Sequence, residues 1–247
     1  MVSHVDSFTK HSGSLTYRSV GMTDTGRVRH INQDAFIERP EIGVWCIADG
    51  MGGHSEGEVA SRMACDTIAG LGPTPTLEVA VEHVRRRLQS VNGRFHQAAT
   101  RLINPVQSGT TVVVLIARGA RCAVLWAGDS RVYRLREGHL QQLTKDHVAR
   151  IEHGHFIQHA ISRAVGGDAE LVLDVHFDDV NPADRFLLCS DGLTHELDNS
   201  RIQELLRNQD AQQSARQAID AALAAGGSDN VSVIVVDAHP ATQGKDV

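Results

Sequence analysis

Residues 110–135 read TTVVVLIARGARCAVLWAGDSRVYRL. Three runs rich in β-branched and apolar residues, TTVVVLIA (110–117), CAVLWAGD (122–129) and RVYRL (131–135), follow one another with only a few residues between them. Runs of this kind are strand signals, and connections this short make hairpin-like, antiparallel neighbours. Similar runs stand at WCIAD (45–49), LVLDVHF (171–177), RFLLCSD (185–191) and NVSVIVVD (230–237). Helical periodicity enters in blocks. Ala60, Met63/Ala64, Thr67/Ile68 and Leu71 make one pattern, and Leu77, Val81, Val84, Leu88, Val91, Phe95, Ala98 and Leu102 make a longer one. A third, Ala215, Ala218/Ile219 and Ala222/Leu223, ends at Gly226-Gly227, a helix stop. Strands grouped together with helices in blocks are not the strict alternation of a parallel doubly wound sheet. They predict one α+β domain of antiparallel sheets packed face to face, with helices outside. The segment 146–170 reads as the irregular exception, with three histidines in HGHFIQH.

Composition narrows the function. At 247 residues with 41% hydrophobic and 22% charged residues, the chain is long and apolar enough to bury a core. Aromatics make up only 4%, so that core must rest on Val, Leu, Ile and Ala. A formal charge of −6 argues against nucleic acid as a partner, since tracking phosphates needs a basic excess. Cys46, Cys65, Cys122 and Cys189 lie far apart, and all but Cys65 sit inside apolar runs. They read as reduced, buried thiols of a cytoplasmic protein, not as disulfides or zinc ligands. No run approaches the ~18 apolar residues of a membrane span, and MVSHVDSFTKHSGS at the start lacks the apolar core of a signal peptide. The expected layout is a polar tail over 1–14, one domain over 15–238 and a second tail over 239–247.

The strands share one further feature. Asp49, Asp129 and Asp191 each close an apolar strand, Asp229 precedes one, and Asp34 opens the short run DAFIE. A single aspartate there is an ordinary turn or cap residue. Five in equivalent places, four of them beside Gly, Ser or Asn, point to a cluster. Clustered carboxylates repel one another, and burying them unpaired is costly. A cation resolves that conflict, and all-oxygen ligands favour Mg²⁺ or Mn²⁺ over zinc. Two such ions about 4 Å apart activate a bridging water and clamp an in-line displacement at phosphorus. The loop IADGMGGHSEGE (47–58) fits this reading. It has the glycines of a phosphate cradle but three acids and no following G-K-[ST], so it is either an ordinary surface turn or a place for something cationic.

RVRHINQD (27–34), IADGMGGHSEGEVAS (47–61), SGTT (108–111), AGDSRVYRL (127–135), LTKDH (143–147), SDGL (190–193) and SDNVSVIVV (228–236) together resemble bacterial metal-dependent serine/threonine protein phosphatases, the PPM or type 2C family. The resemblance runs in order from about Thr16 to Asp237. It implies a four-layer α/β/β/α sandwich of two antiparallel sheets flanked by helices. It also implies hydrolysis of phosphoserine and phosphothreonine monoesters by a metal-bridging water or hydroxide. Asp49, as bridge, and the Gly50 carbonyl would ligate two Mn²⁺ or Mg²⁺ ions. Asp191 and Asp229 would complete one site each, and Asp34 would hold metal-bound waters. Asp129 matches the aspartate of a third ion. Arg29 falls where the family binds phosphate, with Arg27 its nearest competitor. Asn230 would orient Asp229 or a water, and Thr110 and Thr111 would be structural. Asp146-His147 would lead into a flap with a structural or flap-positioning role, a direct metal role for Asp146 being the lesser reading.

Two departures stand out. Met51 occupies the position where eukaryotic members carry a histidine proposed as general acid. His54 is the nearest replacement, with a cap for the following helix as its other reading. The flap around 146–170 is short, as in some phosphatases encoded with type VI secretion systems. Its His153, His155 and His159 read better as a solvated loop than as a metal site. The partners implied are a phosphorylated protein and an opposing Ser/Thr kinase, with a monomer as default. A small-molecule phosphohydrolase and an inactive binding module are the alternatives; the second would be expected to lack metal carboxylates that are present here.

Overall fold

The computed structural model describes residues 15–53, 56–101, 108–153, 156–207 and 210–241. The first tail, His54 and His155 therefore lie outside the described residues. The chain begins with strands β1 (Leu15–Asp24), β2 (Asp34–Arg39) and β3 (Val44–Met51), then helices α1 (Glu56–Ala69) and α2 (Leu77–Arg101). Six strands follow, β4 (Gly109–Thr110), β5 (Val112–Arg118), β6 (Arg121–Ala127), β7 (Arg131–Arg136), β8 (His139–Gln142) and β9 (Val148–His153). Next come β10 (Phe156–Ile161), β11 (Asp174–Asp179) and β12 (Arg185–Cys189). Helices α3 (Asp191–Glu196), α4 (Asn199–Leu206) and α5 (Ala211–Ala225) lead to β13 (Val231–Pro240).

Two antiparallel sheets form, one ordered β1-β13-β12-β7-β8 and the other β11-β6-β5-β3-β2 with β4 beside β3. The expected α/β/β/α sandwich follows from how the apolar runs divide between faces. Trp45 and Ile47 of β3, Val113 and Leu115 of β5, and Phe186 and Leu188 of β12 meet between the sheets. Their neighbours Cys46, Ala48, Val112 and Val114 point outward under Ala64, Ile68, Val84 and Leu88 of α1 and α2. On the other side Leu187, Cys189, Val233 and Val235 pack beneath Ile202, Leu205, Ala218 and Ala222 of α4 and α5. A strand covered on both faces needs apolar residues at consecutive positions, which is why these strands read as unbroken runs. All four cysteines are free and buried, as expected of small core residues.

The structure departs from the sequence reading in three places. The segment expected to be irregular contains the hairpin β9–β10, whose strands pair only with each other among the described residues. His153 closes β9 and His159 lies in β10, so these residues stand on strands and not in a loop. The run at 171–177 enters the ladder only at Asp174, because Leu171 and Leu173 fill the core under the first helix layer instead of pairing.

Candidate active site

Antiparallel pairing gathers the aspartates at one end of the sandwich. Cys189 faces both Arg131 and Val233, so Asp129, Asp191 and Asp229 emerge together from neighbouring strands of one sheet. In the other sheet Asp34 sits directly opposite Asp49. The sheets meet through side chains. Asp34 Oδ2 accepts hydrogen bonds from Ser190 Oγ at 2.8 Å and Ser232 Oγ at 2.6 Å. Asp49 and Asp191 lie close enough for each to bear on the other's ionisation. Burial, reinforced by the neighbouring carboxylates, pushes Asp34 up to about 7 and Asp129 up to about 6. The same causes raise Asp49 and Asp191. The Oδ1 atoms of Asp34, Asp129 and Asp191 are buried without a hydrogen-bond partner. Among the described residues no three acidic, histidine or cysteine side chains converge closely enough to hold a metal ion as they stand. Two serines meet Asp34 Oδ2 and an arginine meets Asp229 Oδ2, and the three Oδ1 atoms are left bare.

The loop carrying Asp49 is held by backbone. The Asp49 carbonyl accepts from Thr111 N at 2.8 Å and from Thr110 Oγ1 at 2.9 Å, which gives both threonines the structural role expected of them. Gly50 donates its N–H to Gln33 O at 3.1 Å, and a Cβ at Gly50 would lie 2.1 Å from the Gly57 carbonyl. Only glycine lets the first turn of α1 press against this loop, so the carbonyl of residue 50 keeps its place beside Asp49.

Arg29 rides on the loop between β1 and β2, half exposed, with Nη2 2.7 Å from Asp229 Oδ2. Arg27 is committed elsewhere, its Nε donating to Leu223 O at 2.7 Å on α5. Asn230 was expected to orient Asp229 or a water, yet its side chain does different work. It accepts from Gln33 N at 2.8 Å and donates to Thr25 O at 2.8 Å and Ile31 O at 3.0 Å, stitching the Arg29 loop to β13. Its backbone N–H is what reaches Asp229 Oδ1, at 2.8 Å.

A cleft of about 770 Å³ opens beside this cluster, lined among others by Met51, Asp129, Arg131, Asp146, Asp191 and His195. Asp146 is engaged by Arg131, which donates from Nε at 3.0 Å and Nη2 at 2.7 Å. His147 Nδ1 accepts from Gly128 N at 3.2 Å, so its Nε2 carries the proton and donates to Asp174 Oδ2 at 3.2 Å. The TKDH turn thus braces the β6–β7 connection that holds Asp129. A structural or flap-positioning role was expected of Asp146-His147, but the contacts of this brace and the Ser190/Ser232 pair were not, because both exist only as tertiary contacts.

A sequence profile of protein phosphatase 2C matches residues 26–226. The serine/threonine phosphatase stp of Listeria welshimeri serovar 6b is 30% identical over 244 residues, covering 91% of this chain and 97% of that protein. The solved structure of PppA, described as a key regulatory component of the T6SS in Pseudomonas aeruginosa, superposes with a TM-score of 0.83 at 37% identity. That match covers 90% of this chain and 98% of PppA. The catalytic domain of the serine/threonine protein phosphatase PstP, solved with two manganese ions, superposes with a TM-score of 0.80 at 31% identity, covering 92% and all of the respective chains. The chain belongs to the protein phosphatase 2C family, and with it to the serine/threonine protein phosphatases, which are hydrolases.

Proposed function

We propose that catalysis takes place at the aspartate cluster, with Asp49, the Gly50 carbonyl, Asp191 and Asp229 holding two Mn²⁺ or Mg²⁺ ions and Asp34 supporting them. The observation that carries this is the set of buried, unpartnered Oδ1 atoms on Asp34, Asp129 and Asp191. An acceptor left bare in low dielectric costs ~1–3 kcal/mol, more when charged, and a hard cation is the partner an all-oxygen set fits. Bound there, the ions would supply a nucleophilic water near neutral pH and neutralise charge on the phosphoryl oxygens. Asp129 would serve a third ion. Arg29 would turn from Asp229 to the substrate phosphate while Asn230 keeps its loop in register. Met51, on the cleft wall, has no proton to give a leaving alkoxide, and His54 remains the nearest donor in sequence.

The substrate would be a phosphorylated protein made by an opposing Ser/Thr kinase in the cytoplasm. Because PppA is a component of a T6SS, type VI secretion would be the first pathway to test. The protein would act as a monomer, with one catalytic domain over 15–238 and the β9–β10 hairpin as its short flap. The deciding experiment is hydrolysis of a phosphopeptide against a nucleotide panel, with Mn²⁺, Mg²⁺ and chelator as arms. Chelator-insensitive turnover, or turnover of nucleotides alone, would refute the reading.

Arg29 gives a separate test. Arg29→Ala is expected to lower kcat/KM for the phosphopeptide about 10–100-fold, chiefly through KM, with Mn²⁺ binding kept. That range is what one charge-assisted hydrogen bond is worth, ~1.5–3 kcal/mol. Arg29→Lys should recover only part of the loss, since an ammonium lacks the planar fork that matches phosphate. Unchanged steady-state constants in Arg29→Ala would remove it from the phosphate site.

A further inference from the structure

We propose that Ser190 and Ser232 are positioning residues that lock the carboxylate of Asp34, and that Thr23 and Asn32 extend this lock to the Arg29 loop. The proposal rests on the reading of Asp34 as a supporter of the ions. Both hydroxyls converge on the same atom, Oδ2, at 2.8 and 2.6 Å, while the buried Oδ1 receives none. Two donors on one oxygen fix the torsion of the carboxylate and so fix where the bare oxygen points. Both serines are fully buried and belong to the segments that bring Asp191 and Asp229. They also tie those segments to each other, with Ser232 N donating to Ser190 Oγ at 2.9 Å and Ser190 N to Ser232 O at 3.1 Å.

Counting protons gives the arrangement a direction. In the deprotonated form that would support ions, the Asp34 carboxylate only accepts, so Ser232 then spends its one proton on it. Thr23 Oγ1, 2.8 Å from Ser232 Oγ, must then be the donor in that contact. Thr23 accepts in turn from Asn32 Nδ2 at 2.8 Å, and Asn32 Oδ1 accepts from the backbone N–H of Asp34 at 3.1 Å. The ring closes: Asp34 N–H to Asn32, Asn32 to Thr23, Thr23 to Ser232, Ser232 to Asp34 Oδ2. Asn32 lies three residues beyond Arg29 on the same loop. The ring therefore keys the position of the phosphate-facing loop to the orientation of a carboxylate at the ion site.

The test is a double-mutant cycle read by calorimetric titration of Mn²⁺ into the whole chain. Ser232→Ala is expected to weaken Mn²⁺ binding about tenfold, the low end of what support of metal ligands is worth. Ser232→Thr, which keeps the hydroxyl, should come back to within a few fold. In an Asp34→Asn background Ser232→Ala should add nothing, because it acts through the group already removed. Thr23→Val, farther along the ring, should give a smaller loss in the same direction, and serves if Ser232→Ala does not fold. An equal loss with and without Asp34, or no loss in either hydroxyl variant, overturns the proposal. If the wild type binds no Mn²⁺, or Asp34→Asn binds it as the wild type does, the reading beneath it falls too.

Discussion

Asp191→Asn is expected to cut Mn²⁺-dependent hydrolysis of an aryl phosphate by on the order of 10³-fold or more, while the protein still folds. Support residues alone are worth ~10–100-fold, and in the proposed site Asp191 would touch an ion directly. Asparagine keeps the shape and one acceptor but removes the charge. Two effects on stability oppose each other. Asp191 opens α3, and a carboxylate at a helix N-terminus is worth ~0.3–1 kcal/mol. Against this, its carboxyl is buried and presses on Asp49 and Asp129. Relief of that crowding outweighs a dipole contact on a helix of six residues. In chelator the variant should therefore melt no lower than the wild type. Near-normal turnover would sink the ion assignment, and a collapse of the melt in chelator would show the residue to be structural.

The sandwich was legible because its central strands are covered on both faces. The periodicity of α2 likewise gave its length almost to the residue, from Leu77 to Arg101. What escaped has a common cause. β1 pairs along its whole length with β13, yet LTYRSVGMTD carries only half-buried or exposed side chains and so no apolar run. Among the described residues the strands VARIEH and FIQHAI pair only with each other, and their sequences carry no clear apolar alternation. Helices α3 and α4, of six and eight residues, are too short for periodicity to speak. The aspartates were legible one by one, since each sits at a strand end. Their partners were not. Serine and asparagine occur in every loop, and only the register between β12, β13 and β2 brings Ser190, Ser232 and Asn230 to their positions. The resemblance set Arg29 ahead of Arg27, and the structure sends the two guanidinium groups in different directions.

In chelator, the melting temperature should be highest near pH 5 and fall by several degrees toward pH 8. Asp34 is pushed up to about 7 and Asp129 up to about 6, with burial the largest cause for each. In the unfolded chain these groups titrate near 3.9. Between those values the folded state binds more protons than the unfolded one, so stability falls with rising pH. The contribution is whole below about pH 4 and is lost as pH climbs through 6 and 7. Asp174 works the other way, held below its ordinary value by His147 and Arg163 against a desolvation penalty, so acid below pH 4 destabilises the fold too. The two slopes leave the maximum between them. For Asp34 the loss at pH 8 is on the order of a few kcal/mol, and ~2–4 °C per kcal/mol is the scale for a domain of this size. Ions held in the proposed site would bind the deprotonated carboxylates and so take over the role of the protons. Saturating Mn²⁺ should then raise the melt more at pH 8 than at pH 5, by an amount set by linkage. A melt in chelator that is flat from pH 5 to pH 8 would mean the cluster is not strained by its own charge. An equal Mn²⁺ effect at both pH values would mean the ions bind elsewhere.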